Sequence, residues 1–109
     1  MRLLAVCERL RRLPESRWQR PPVAPLGARA PGDAHEVSGP TLEALVRDAI
    51  VRLMDADARA RGVRPIAVEV GAFALPDVVA ALARSITAGG DPAALAVLED
   101  VTRESRDWA

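Results

Sequence analysis

The chain has 109 residues, the length of a single domain, and its formal net charge at pH 7 is zero. Half of the residues are hydrophobic, but only Trp18, Phe73 and Trp108 are aromatic, so Ala, Leu and Val supply most of the apolar content. Such small side chains suit close packing of helices. The shortage of rings argues against a protein that stacks bases on exposed aromatic residues.

The charge is distributed unevenly along the chain. All 15 basic residues are arginine, which we attribute to coding bias rather than to selection for guanidinium contacts. Residues 1–30 hold seven arginines and two acids, a net charge of +5, and residues 31–109 hold eight arginines and thirteen acids, a net charge of −5. A basic arm on an acidic body can fold back, pair with a neighbouring copy or reach an acidic partner.

Cysteine usage and hydropathy predict a cytoplasmic protein. Cys7 is the only cysteine, which fits a reducing compartment. We find no apolar run of the length that spans a bilayer, and the apolar start at residues 3–7 is too short for a secretion signal. We therefore expect no membrane partner.

The first segment, residues 1–18, is predicted to be a basic amphipathic helix. Over residues 2–13 the arginines lie mostly opposite apolar residues at helical spacing, namely Leu3, Val6, Cys7, Leu10 and Leu13. Glu8 can pair with Arg11 or Arg12, and Pro14 ends the pattern. Residues 19–39 form a Pro/Gly-rich linker or arm, and residues 40–109 form the helical body of the same single domain.

Residues 40–61 carry the clearest helical pattern. Pro40 is predicted at the first helical position and Gly62 at the C-terminal stop. Seven residues form the apolar stripe: Leu42, Leu45, Val46, Ala49, Ile50, Leu53 and Met54. Each exposed ion pair between residues four apart on a helix stabilises it by about 0.3 kcal/mol. The opposite face offers four such pairs, with the acid first: Glu43–Arg47, Asp48–Arg52, Asp55–Arg59 and Asp57–Arg61.

Residues 63–74 leave two alternatives open. Apolar residues alternate over residues 66–70, as in a strand, but no second strand is visible to pair with it. The other alternative, which we favour slightly, is a short buried helix that begins at Pro65 and runs to Phe73.

Two further helices are predicted, over residues 76–88 and about 92–105. The first is so apolar that we expect burial on most of its sides. A left-handed glycine at the Gly89–Gly90 pair ends it, and Asp91 caps the next helix. The inward face of that last helix is predicted to comprise Leu95, Leu98 and Val101, and Glu99 can pair with Arg103.

No set of residues converges on catalysis, a metal or a cofactor. A Cys7–His35 pair is conceivable, but nothing positions it, and a buried inert thiol is the simpler interpretation. One His and one Cys are too few for a zinc site. We therefore predict no catalytic, metal-binding or cofactor-binding residues and no cofactor, and we favour a protein that is not an enzyme.

Two groups of residues remain as functional candidates. For partner binding they are Arg9, Arg11, Arg12, Trp18 and Trp108, although packing of the tryptophans onto the body is an equal alternative. For a pocket they are Glu69 and Phe73, because a buried Glu69 among apolar residues would have a raised pKa.

We therefore expect an all-α fold, a compact bundle of four to five helices with a Pro-rich N-terminal arm, with a short strand at 66–70 left open. Apolar stripes on so small a body favour a non-catalytic protein–protein interaction or assembly module, either a homodimer or the small subunit of a larger complex. One alternative is an apolar small-molecule or catalytic pocket near Glu69. Another, less favoured, is polyanion or nucleic-acid association through the Arg-rich arm.

Overall fold

A computed structural model describes residues 2–22, 39–65 and 69–108. Five helices are present in these ranges: α1 (Arg2–Arg11), α2 (Glu15–Trp18), α3 (Leu42–Arg61), α4 (Leu75–Gly89) and α5 (Pro92–Glu104). Short 3₁₀ turns cover Ala72–Ala74 and Ser105–Asp107. No strand occurs in the described ranges, and the predicted all-α bundle is confirmed.

Helix α3 is the longest helix in the described residues. The Thr41 hydroxyl accepts a hydrogen bond from Ala44 N at 3.2 Å, so the helix begins at Leu42, and the prediction of Pro40 as its first residue is wrong. Gly62 has a φ of +72° and ends the helix in the left-handed conformation, as predicted. All four predicted ion pairs form, with N–O distances between 2.9 and 3.3 Å.

The core lies where α4 meets α1, α3 and α5. Helices α4 and α5 both pack on α3, α1 packs on α4, and the C-terminal 3₁₀ turn returns to α1. The apolar stripes supply the largest fully buried side chains, among them Leu3, Leu10, Leu53, Leu75 and Ile86.

The N-terminal segment contains a helix that the sequence patterns did not predict. Helix α1 ends at Arg11, and the single turn α2 follows Pro14 and buries Trp18. Leu42 N donates a hydrogen bond to Arg20 O at 2.8 Å, which joins this segment to the start of α3. The remainder of the predicted arm, residues 23–38, lies outside the described residues.

Helix α4 is less buried than its composition predicts. Val79, Ala80, Ala83 and Ile86 face the core, whereas Ala81 is exposed. Within the described ranges, Ala72–Gly89 has the length and composition of a membrane-spanning helix, with mean hydropathy 1.3, contrary to our sequence-based expectation. Core helices of soluble proteins meet the same criterion, and α4 packs against α1, α3 and α5.

The connection from α3 to α4 differs from the favoured prediction. Pro65, Glu69 and Val70 lie in irregular coil, and helical structure is limited to the 3₁₀ turn at Ala72–Ala74. A helix from Pro65 to Phe73 is therefore wrong for the described part of this segment, and Glu69 and Val70 are not in a strand. The rest of the predicted strand, residues 66–68, lies outside the described residues.

The junction before α5 has the predicted caps, but the buried face of α5 differs from the prediction at one residue. Gly90 ends α4 with a φ of +69°, and the Asp91 carboxylate accepts a hydrogen bond from Ala94 N at 3.0 Å. Leu98 and Val101 are buried. Leu95 is 37% exposed, and Ala94 is buried in the core instead.

Candidate functional site: an apolar groove between α3 and α4

A groove of about 540 Å³ lies between α3, α4 and the two ends of their connection. Of the ten described residues that line it, seven are apolar: Ile50, Val51, Met54, Pro65, Val70, Leu75 and Val78. The other three are Arg47, Arg52 and Asp55. An apolar surface of this kind can receive an apolar side chain from another molecule.

Arg47 fixes one wall of the groove. Its Nη2 donates a hydrogen bond to the Val70 carbonyl oxygen at 2.9 Å, and its Nε donates to Glu43 Oε2 at 2.9 Å. The bond to Val70 holds the end of the connection against α3. The charge of Arg47 is thereby matched by Glu43, whose pKa is lowered chiefly by its hydrogen bond from Arg47.

The other two charged residues of the groove are also paired. Arg52 donates two hydrogen bonds to the Glu104 carboxylate, each 2.7 Å long. These bonds hold the pKa of Glu104 below its usual value. Arg52 Nε also lies 3.1 Å from Asp48 Oδ2, although without hydrogen-bond geometry. Asp55 Oδ2 lies 3.2 Å from Arg59 Nε, so the rim presents ion pairs.

Two large apolar side chains at this surface are exposed. Val51 lines the groove and is 65% exposed, and Phe73 is 83% exposed. Phe73 sits in the 3₁₀ turn between the lining residues Val70 and Leu75. We call Val51, Phe73 and the groove together the α3–α4 face.

The predicted pocket residues do not form a pocket. Glu69 is exposed and Phe73 points to solvent, and neither belongs to the lining of the groove. Because Glu69 is exposed, it lacks the burial on which the pocket hypothesis depended. Both side chains therefore lie in a different environment from the apolar pocket that the sequence predicted.

The predicted partner-binding arginines are divided between solvent and the body. Arg9 on α1 and Arg12 just after its end are exposed. Arg11 pairs with Glu8 and, through Nη2, with Asp77 Oδ1 of α4 at 2.5 Å. Part of the basic segment thus folds back on the acidic body, one of the three arrangements that the charge distribution allows.

Both tryptophans belong to the core. Trp18 is 4% exposed and Trp108 is 3% exposed. Both rings therefore pack onto the body, which was one of the two predicted alternatives. They are not available on the surface as anchors for a partner.

Cys7 has the environment of an inert thiol. It is buried on the inner face of α1, and burial raises its pKa to about 11. A neutral thiol at physiological pH is a poor nucleophile. His35 lies outside the described residues, and those that are described contain no group of three His, Cys, Asp or Glu side chains able to hold a metal.

No protein-family model, curated protein or solved structure matches this chain. Its function has to be inferred from the α3–α4 face and its surroundings. The sequence patterns missed this face because its residues come from three separate segments. One signal was present: Val51 is an apolar β-branched residue on the charged side of α3, where Arg47, Asp48, Arg52 and Asp55 surround it in sequence.

Proposed function

We propose that this chain is a non-catalytic protein–protein interaction or assembly module that docks through the α3–α4 face. The observation that carries the proposal is the juxtaposition of an apolar groove with the exposed side chains of Val51 and Phe73. Fully burying a side chain of either type is worth roughly 1.5–3 kcal/mol. Contact with a second protein would recover this free energy.

The chemistry of the groove favours docking over catalysis. Its charged lining residues are Arg47, Arg52 and Asp55, and each already has an oppositely charged partner at its side. An apolar centre surrounded by satisfied polar groups is the usual anatomy of a protein interface. Among the described residues that line this groove there is no nucleophile with an adjacent base, which covalent catalysis needs.

Site-specific photo-crosslinking tests the proposal. A benzophenone amino acid is placed at position 51 in the full chain, expressed in its native cells, and the covalent products are identified by mass spectrometry. The matched control carries the same residue at position 95, because Leu95 is also partly exposed but lines a separate hollow beside Leu98 and Arg103. The fold should accommodate the bulky benzophenone at both positions, because the native side chains at these positions already reach solvent.

We expect position 51 to give an adduct with one polypeptide, either a second copy or another protein, and position 95 to give none. Absence of an adduct at position 51, or the same adducts at both positions, would overturn the proposal.

A further inference from the structure

We infer that the occupant of the α3–α4 face is a second copy of this chain, paired about a two-fold axis so that Phe73 of each copy enters the groove of the other. This inference rests on the proposed function and specifies its partner. In such a pair the same surface patch serves both subunits, and every contact occurs twice.

The α3–α4 face offers both a hollow and an exposed ring. The hollow has a volume of about 540 Å³, and the chain's only phenylalanine, Phe73, lies in the chain between the lining residues Val70 and Leu75 and is 83% exposed. A foreign partner would have to provide both a side chain for the groove and a cover for Phe73. A second copy provides both through one two-fold operation.

The charges around the groove also permit this pairing. Residues near a two-fold axis meet their own copies, so a face of one sign repels itself. On the α3–α4 face, Arg47 is matched by Glu43, Arg52 by Asp48 and Glu104, and Asp55 by Arg59. By contrast, the N-terminal segment exposes Arg9 on α1 and Arg12 just after its end, and this surface would oppose like charges if it met its copy.

The charge of the whole chain favours approach of two copies. The formal net charge is zero, and proteins near zero net charge lack the mutual repulsion that keeps charged proteins apart. Within the described residues, 2–22 hold six arginines and two acids (+4), and 39–65 and 69–108 hold eight arginines and eleven acids (−3). Two antiparallel copies can therefore place unlike regions near each other.

The groove is held open in advance of any pairing. The Arg47 hydrogen bond to the Val70 carbonyl oxygen fixes the wall that Phe73 of the second copy would contact. A preformed surface loses less conformational freedom when it binds than one that must become ordered. Association should accordingly depend on the side chains at positions 51 and 73 with little change in helix content.

Sedimentation velocity on the full chain between 2 and 200 µM tests the inference. The variants are Val51→Glu and Phe73→Asp, which place a charge on the α3–α4 face at positions that are already exposed. Leu95→Asp is the control, because it introduces the same kind of charge at the hollow beside Arg103. Circular dichroism and thermal unfolding verify that each variant is folded.

We expect the unsubstituted chain to dimerise with rising concentration, and each of Val51→Glu and Phe73→Asp to raise the dissociation constant at least 10-fold. Leu95→Asp should change it less than 2-fold. A chain that remains monomeric at 200 µM would overturn the inference, as would a dimer that is insensitive to Val51→Glu and Phe73→Asp or equally weakened by Leu95→Asp.

The two proposals can fail separately. If the chain is monomeric at 200 µM but a photo-reactive residue at position 51 captures one other protein, the second copy is excluded as occupant and the interaction function stands. If position 51 captures nothing, the interaction function itself is overturned.

Discussion

Substitution of Trp108 tests whether its ring stabilises the core of the folded chain. In the structure this ring is 3% exposed, and the 3₁₀ turn that carries it contacts α1. The turn is anchored by Ser105, which is itself buried and whose hydroxyl donates to the Thr102 carbonyl oxygen at 2.7 Å. Trp108→Ala removes the ring and leaves the anchor in place.

The size of the effect follows from the buried area. An aromatic side chain of this kind removes about 150–250 Å² from water, which at about 25 cal/mol per Å² corresponds to roughly 4–6 kcal/mol. The alanine methyl group and partial collapse of the cavity reduce this value, so we expect a loss of about 3–5 kcal/mol. That loss is a large part of the roughly 5–16 kcal/mol expected for a domain of this length.

Urea unfolding followed by far-ultraviolet circular dichroism measures the loss. With a slope of about 1–3 kcal/mol per M, the midpoint should fall by roughly 1–5 M. Trp108→Phe is the matched control and should lose less than half as much, because it keeps a ring in the same space. A loss below about 1 kcal/mol for Trp108→Ala would refute the assignment of this ring to the core.

Three further predictions concern the helix cap, an ion pair and the thiol. Asp91→Ala removes the cap on Ala94 N and should cost about 1 kcal/mol in urea unfolding, whereas Asp91→Asn should cost little; equal losses would contradict a capping role. Arg52 lowers the pKa of Glu104 in the folded protein, so this pair stabilises the protein at pH values above the unfolded pKa of about 4.3. The stabilisation is lost as the pH falls through the lower pKa that Glu104 has in the folded protein. Glu104→Gln should therefore flatten the acid side of the stability–pH curve by less than about 1 kcal/mol, since the pair is partly exposed, and an unchanged curve would argue against the pairing. Cys7, with a pKa of about 11, should not react with a disulfide reagent at pH 8 until the protein unfolds; rapid reaction of the folded protein would contradict its burial.

The features that the sequence predicted correctly depend on residues close together in the chain. The pairs Glu43–Arg47 and Asp57–Arg61 form because residues four apart share one side of a helix, whatever the rest of the fold does. The caps at Gly62 and Asp91 likewise follow from local backbone requirements. These local rules were sufficient for the fold class and for most of the helix boundaries.

The α3–α4 face could not be predicted in this way. Arg47 reaches Val70 across 23 positions of the chain, and Arg52 reaches Glu104 across 52. Such contacts depend on how the helices pack, which periodicity does not specify. Glu69 illustrates the same limit: its apolar neighbours in sequence suggested burial, but its side chain is exposed, because exposure depends on the packing of the whole chain.

Covalent capture through position 51 tests the central claim most directly, namely that this chain meets another polypeptide through the α3–α4 face. With a photo-reactive residue replacing Val51, we predict one dominant adduct in native cells, and we predict that Phe73→Asp in the same chain abolishes it. Equal capture in the presence and absence of Phe73→Asp, or no capture at all, would contradict the claim.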